Sequence, residues 1–152
     1  MNKRLQTLQL HQMDAALKPL REIAYPVRPS GGWARAIRGS LGMSGAALAK
    51  RLGMTTTGAR KLEEAEANQV ITLASLRKLA EALDCELKYS FVPKQSLEQQ
   101  LKERAIKIAS EKLRPVSNSM SLEDQSVLGA SGQLQIELLA QELLDGSRRE
   151  LW

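Results

Sequence analysis

The most constraining feature of this sequence is the segment 44–65, which predicts two short helices joined by a tight turn. Apolar residues recur in it at helical spacing, as expected for one buried face. Gly53 lies where the first helix must end, and glycine readily adopts the left-handed conformation that closes a helix. Ser44 and Thr55 each precede a helix, and their hydroxyls can accept from a free amide of the first turn, so both are predicted N-caps. The apolar residues of the pattern are Ala47, Leu48, Leu52, Ala59 and Leu62.

The outer face of the second predicted helix is polar and basic. Two helices that meet at a glycine turn, with such a face on the second, have the layout of a helix-turn-helix that reads DNA. A helix fits the major groove, where threonine, arginine and lysine side chains can reach base edges or phosphates. Ordinary helical bundles share this layout, so a scaffold for protein interactions stays open as an alternative. The residues of this face are Thr56, Thr57, Arg60, Lys61 and Glu64.

Amphipathic segments flank the motif on both sides. Trp33, Ile37 and Leu41 follow one another at intervals of four, which predicts a helix with one apolar face. Thr72 precedes another apolar-periodic segment and is a predicted N-cap. Residues 32–92 therefore predict four or five short helices. Their most characteristic segments are LGMS (41–44), LAKRLGMT (48–55), LE (62–63), TLASL (72–76) and LAEAL (79–83). On these segments the layout resembles the Cro and phage-repressor type of DNA-binding domain, the Xre family.

The resemblance implies how this motif would meet DNA. The positive end of the first helix, with its serine cap, suits a phosphate. Two glycines depart from the common Xre pattern: Gly45 stands where a glutamine often packs, and Gly58 lies inside the reader helix. One reader helix binds weakly, so we expect a homodimer on a palindromic operator, with half-sites roughly 34 Å apart. The predicted DNA-binding residues are Ser44, Lys50, Arg51, Thr55, Thr56, Thr57, Arg60 and Lys61.

Charge and composition narrow the function classes. The net charge is +5, and basic residues exceed acidic ones in residues 1–92 but not in residues 93–152, which suits double-stranded DNA as a partner of the first part. The single cysteine, Cys85, and the single histidine, His11, leave too little for a metal cluster or a catalytic centre. We therefore expect a non-enzyme without metal or cofactor. No apolar run approaches a membrane span and no signal-peptide pattern opens the chain, so a cytoplasmic protein is expected.

Segments on either side of the predicted domain complete a mainly α fold class. Pro19 predicts a kink or a break in a first helix over residues 1–24, and Pro115 predicts the end of a long helix that begins after Ser96. Alternating residues in 85–92 (CELKYSFV) predict one short strand, paired with a second copy or with a partner's edge, or else an extended surface segment. The predicted division is a helical N-terminal arm and linker (1–30), the Xre-like domain (31–92) and a helical C-terminal arm for dimerisation or partner binding (93–152).

A closer resemblance covers most of the chain. It is carried by LQLHQMDAAL (8–17), PSGGWARAIRGSLGMSGAALAKRLGM (29–54), ITLASLRKLAEALDCELKYSFVP (71–93), SMSLEDQ (119–125) and the ELLDGS…LW ending. On these segments the chain resembles the mobile mystery protein A family, whose genes neighbour one for a protein with a Fic domain. The resemblance implies an antitoxin-like, autorepressing regulator that restrains a Fic-domain partner. Ser119 and Glu123 come close to the Ser/Thr-x-x-x-Glu-Gly/Asn pattern of helices that inhibit Fic enzymes, with Asp124 in place of the final small residue.

Overall fold

The computed structural model describes residues 2–120 and 128–152, and the regular structure in them is helical. The α-helices are α1 (Lys3–Glu22), α2 (Trp33–Ser40), α3 (Gly45–Leu52), α4 (Thr56–Ala67), α5 (Leu73–Ala82), α6 (Leu97–Met120) and α7 (Leu128–Asp145), followed by a 3-10 helix (Arg148–Leu151). The chain divides into two compact units, residues 24–91 and residues 1–23 with 92–152. The first helix, which the sequence pattern placed in a separate arm, thus packs with the C-terminal helices.

Residues 24–91 form a bundle of four short helices, α2 to α5. Leu48 of α3 and Leu79 of α5 are almost fully buried at its centre, and α3 packs against both α4 and α5. Each buried leucine contributes about 1.5–3 kcal/mol relative to an exposed one. Thr72 is the N-cap of α5, as predicted, and its hydroxyl accepts from the Ser75 amide at 3.1 Å. The other buried members of this core are Ala34, Ala82 and Leu83.

The short strand predicted at residues 85–92 is absent from the described chain. Residues 86–91 run without helix or strand, and their backbone groups make no hydrogen bond with other described backbone groups. A strand requires a neighbour to pair with, and the described part of this chain places none beside the segment. The alternating pattern of residues 85–92 is compatible with a strand, but a pattern within one segment does not show whether a second strand lies beside it.

The second unit is built on two long helices. Small residues line the contact between α6 and α7. The buried residues at this contact include Ala105, Ala109 and Ala140. Leu151, in the 3-10 helix, is fully buried against the same core, whereas the side chain of Trp152 is 75% exposed. Leu151 therefore anchors the C-terminal turn in the core, and the Arg104 guanidinium lies over the Trp152 ring, 5.9 Å from its centroid.

The prolines do not end the helices in which they lie. The sequence predicted a kink or a break near Lys18, and α1 continues through Pro19 to Glu22, so the helix is not broken there. The helix α6 continues past Pro115 to Met120 instead of ending there. A proline removes one backbone hydrogen bond and strains the preceding turn. That penalty is local, and a helix can continue beyond it when neighbouring turns keep their bonds.

Candidate nucleic-acid interface

The turn between α3 and α4 has the cap geometry that the sequence predicted. The Ser44 hydroxyl accepts from the Ala47 amide at 3.1 Å, and the Thr55 hydroxyl accepts from the Gly58 amide at 3.1 Å. Gly53 closes α3 in the left-handed conformation, with φ 66° and ψ 33°. These three residues fix the start of each helix and the angle at which the chain enters the second.

The helix α4 presents its basic face to solvent. Thr56, Thr57, Arg60 and Lys61 are all exposed, whereas Ala59 on the opposite side is buried. The Arg60 side chain is 72% exposed, and its ion pair with Glu64 spans 3.5 Å between two exposed groups. Such a pair contributes at most about 1 kcal/mol in water. The guanidinium of Arg60 is therefore available to exchange this partner for a phosphate or a base.

An ion pair between the half-buried Arg38 and the buried Glu63 anchors the inner face of α4 to α2. Arg38 donates from Nε to Glu63 Oε1 at 2.5 Å and from Nη2 to Oε2 at 3.2 Å, a two-point contact. The Arg38 Nη1 atom also donates to the Met43 carbonyl at 2.9 Å, which holds the segment that precedes α3 against α2. The hydrogen bond with Glu63 raises the pKa of Arg38 above its ordinary value despite the burial. This arrangement sets the rotation of α4 and hence the direction of its exposed face.

A second buried carboxylate, Glu66, serves as the N-terminal cap of α2. Its Oε1 accepts from the Trp33 amide at 3.1 Å and its Oε2 from the Ala34 amide at 3.3 Å. The cap residue of α2 is Gly32, which has no side chain to do this. A carboxylate at a helix N-terminus also opposes the positive end of the helix dipole. Helices α2 and α4 are thus joined at two points by acidic residues of α4.

Two arginines that could have been free cations bind backbone carbonyls instead. Arg28 donates to the Glu66 carbonyl at 2.5 Å and to the Ala67 carbonyl at 3.0 Å, so it covers the C-terminal end of α4. Arg51 donates to the Ala82 carbonyl and to Asp84, both at 2.8 Å. A contact of Arg51 with phosphate stays a prediction. In the structure Arg51 instead binds the C-terminal end of α5. Lys50, beside it, is exposed.

An open groove of about 360 Å³ lies between α2, the start of α3 and α4. Gly45 leaves this groove open because it has no side chain there. A Cβ at Gly45 would meet only the Thr56 methyl, at 3.9 Å, which is an ordinary contact. Arg35 and Arg60 also line it, which adds a cation of α2 to the surface of the reader helix.

The residues that hold α4 in place were not predicted from the sequence. Glu63 and Glu66 follow the buried Ala59 at intervals of four and three, so they lie on the inner face of α4. An acidic residue at an apolar position of a helix is a sign of a buried pair, since buried charges are normally paired. Of the residues predicted to inhibit a partner, Glu123 lies outside the described part of the chain, as does the Ser119 side chain.

The comparisons with known proteins agree with this geometry. A helix-turn-helix family model matches residues 35–90. No curated protein and no solved structure matches the chain. Residues 35–90 are thus a helix-turn-helix domain of the Xre type, and the chain falls in the general class of DNA-binding regulators. The matched family consists of DNA-binding domains rather than enzymes, which fits a protein without catalytic activity. Within the described residues, no helix has the length and apolar character needed to cross a membrane.

Proposed function

We propose that this protein is a sequence-specific transcriptional regulator that binds a palindromic operator as a homodimer. The observation that carries the proposal is the exposed, basic face of α4 at the N-terminal half of the helix, held outward by the buried carboxylates of the opposite face. In this orientation α4 enters the major groove, and the turn that precedes α3 lies beside the sugar-phosphate backbone.

The contacts divide into those that read bases and those that hold phosphates. Arg60 and Lys61 donate to guanine edges or phosphates, and the methyl groups of Thr56 and Thr57 meet thymine methyls. The hydroxyls of Ser44 and Thr55 already accept from amides of their own helices, so they interact with phosphate as donors. Lys50, which is exposed, adds a cation to the phosphate contacts.

Selection from random double-stranded DNA, followed by footprinting, tests the proposal. We expect a two-fold symmetric site and binding that weakens steeply with salt, because each phosphate contact releases counterions. Alanine at Arg60 or at Lys61 should weaken the preference for the selected site, whereas the same charge change at Lys107, an exposed residue of α6, should leave it unchanged. Equal affinity for every sequence would contradict the proposal.

The resemblance to the mobile mystery protein A family supports a narrower version. In that version the protein is an autorepressing, antitoxin-like regulator that acts in the cytoplasm and restrains a Fic-domain partner. Co-purification with the product of the neighbouring gene tests the pairing, and nucleotide transfer by that product tests the restraint. If Glu123→Gly left the inhibition intact, the inhibitory pattern at Ser119 and Glu123 would be ruled out.

A second candidate is a protein-interaction module that restrains a partner enzyme without reading DNA. The exposed apolar residues of the second unit favour it, since Leu134 and Leu138 of α7 are 56% and 62% exposed at a spacing of one helical turn. The two candidates differ in one measurement. A module of this kind binds its partner equally well whether or not Arg60 and Lys61 are replaced, and it shows no salt-sensitive, selective affinity for DNA.

A further inference from the structure

The groove between α2, the start of α3 and α4 carries one positive charge without a counter-ion. Three arginines and two glutamates line it. Arg38 is paired with Glu63, and Arg60 is paired with Glu64, so four of these charges cancel. Arg35 of α2 is the remaining one. It is exposed and makes no hydrogen bond or ion pair with the described residues.

The position of Arg35 explains why it has no acidic partner. It precedes Arg38 by three residues, so the two arginines share the side of α2 that meets α4. Arg38 finds Glu63 on α4, but the residue one turn after Glu63 is Ala67, which lines the groove without a charge. A Cβ on Gly31 would lie 3.7 Å from the Arg35 Cδ, so the stem of Arg35 runs beside a residue that has no side chain. The Arg35 guanidinium is thus left for a ligand.

The edge of α4 that borders this groove is the side of the reader helix that would face one DNA strand. Thr56, Arg60 and Glu64 line the groove at intervals of four, so they lie along one side of α4. A helix with its side chains is about 10–12 Å across, and the major groove of DNA is about 12 Å wide. A helix seated there therefore has a sugar-phosphate backbone along each side. The strand on this side passes the opening across which Arg35 lies.

We propose that Arg35 binds a phosphate group of the DNA strand that borders this side of α4. The inference rests on the proposed function and adds the helix before the helix-turn-helix to its interface. An arginine suits this contact because its planar guanidinium can donate to two oxygens of one phosphate.

The same contact offsets the one exposed acid of the groove. When Arg60 leaves Glu64 to bind DNA, the Glu64 carboxylate faces a phosphate without a counter-ion, and like charges repel. The side chain of Glu64 is 58% exposed, so it lies on the surface that meets the strand. Arg35 supplies the positive charge that this side of α4 then lacks.

Titration of the full chain with double-stranded DNA at several salt concentrations tests the contact. Arg35→Ala should weaken binding about fivefold to tenfold near 0.1 M salt, for the selected site and its single-base variants alike. It should also lower the slope of log affinity against log salt by about one for each bound chain. Arg35→Lys keeps the charge and should keep the slope.

The matched control is Arg77→Ala, which removes an exposed arginine of α5 that does not line the groove. Its effect on affinity and on the salt slope should be much smaller. Equal losses in Arg35→Ala and Arg77→Ala would overturn the proposal, because they would show that net charge alone decides the affinity. Circular dichroism should show the wild-type fold in both variants, since neither arginine contacts a described residue.

Duplexes with one uncharged methylphosphonate in place of one phosphate locate the contact. In the wild type, neutralising the phosphate that Arg35 binds should weaken binding about fivefold to tenfold. In Arg35→Ala the same duplex should bind no more weakly than the unmodified one, because the contact is already absent. If the wild type and Arg35→Ala responded alike at every phosphate, the proposal would be wrong.

A free phosphate ion shares the chemistry of a DNA phosphate, and one measurement separates the two sources. Inorganic phosphate without DNA should raise the melting temperature of the wild type and of Arg35→Ala equally, through its general effect on protein stability. Saturable stabilisation of the wild type that Arg35→Ala loses would assign the groove to a free phosphorylated compound and overturn the assignment to DNA.

The Arg35 contact and the proposed function fail separately. Selective DNA binding that is indifferent to Arg35→Ala overturns the contact alone. A salt-dependent loss on Arg35→Ala in a protein that binds every sequence equally supports the contact, because phosphate contacts carry no sequence information, and contradicts the proposed function alone. Absence of any binding to DNA would overturn both.

Discussion

A Cβ atom on Gly32 would lie 1.9 Å from the Glu66 Oε2 atom, so the Glu66 carboxylate fills the space that a side chain at residue 32 would need. The same atom would lie 2.8 Å from the Glu66 carboxyl carbon and 3.3 Å from the Ala67 Cα. Gly32 also has φ +85°, a conformation that side chains disfavour. The absence of a side chain at Gly32 is what allows the carboxylate of α4 to reach the amides of Trp33 and Ala34.

Replacement of Gly32 by alanine should therefore unfold residues 24–91 more readily. We expect Gly32→Ala to lower the free energy of unfolding by about 2–4 kcal/mol, from backbone strain together with displacement of a buried carboxylate from its donors. Urea denaturation followed by circular dichroism measures the change. Gly39→Ala is the matched control, because no atom lies within 4 Å of a Cβ there and α2 should gain up to about 1 kcal/mol. Equal stability of the two variants would contradict the prediction.

The buried pair between Arg38 and Glu63 should behave as a unit. Arg38→Met leaves Glu63, whose side chain is 8% exposed, without its counter-ion, and we expect a loss of about 3 kcal/mol or more. Glu63→Leu combined with Arg38→Met removes both charges and should cost much less than the sum of the single changes. A double-mutant cycle in urea measures this coupling. Additive losses would show that the two groups do not stabilise each other.

The sequence was sufficient where structure depends on near neighbours. The caps at Ser44 and Thr55 and the left-handed Gly53 were predictable because donor and acceptor lie within three residues of each other. The partners of Glu63 and Glu66 lie 25 to 38 residues away, and spacing along one helix does not reveal them. The same limit applies to α1, whose packing against α6 was not visible in its own pattern.

Acid should destabilise the unit formed by residues 1–23 and 92–152. Hydrogen bonds from Gln141 and then Lys3 hold the pKa of Asp145 below its ordinary value, and Lys102 does the same for Glu98. A folded-state pKa below the unfolded value means stability that is present above about pH 4 and is lost as the pH falls through the folded pKa. Asp145→Asn should therefore flatten the pH dependence of unfolding between about pH 5 and pH 2.

The matched control for Asp145 is Glu142→Gln, since the Glu142 side chain is exposed and makes no ion pair or hydrogen bond with the described residues. Thermal unfolding at a series of pH values, followed by circular dichroism, provides the comparison. Asp145 is exposed, so the effect is a modest change of slope rather than loss of the fold. Identical pH profiles for the two variants would contradict the prediction.

The last prediction separates base reading from phosphate binding in the proposed complex. Lys50→Ala should weaken binding to every sequence alike and reduce the slope of log affinity against log salt by about one for each phosphate that the lysine neutralises. Arg60→Ala should instead lower affinity for the selected site by about 10-fold to 100-fold and relax the preference at one base pair of each half-site. Titrations at several salt concentrations, on the selected site and on its single-base variants, distinguish these outcomes. If Arg60→Ala changed only the salt slope, Arg60 would bind phosphate alone, and the sequence preference would have to come from Thr56, Thr57 or Lys61.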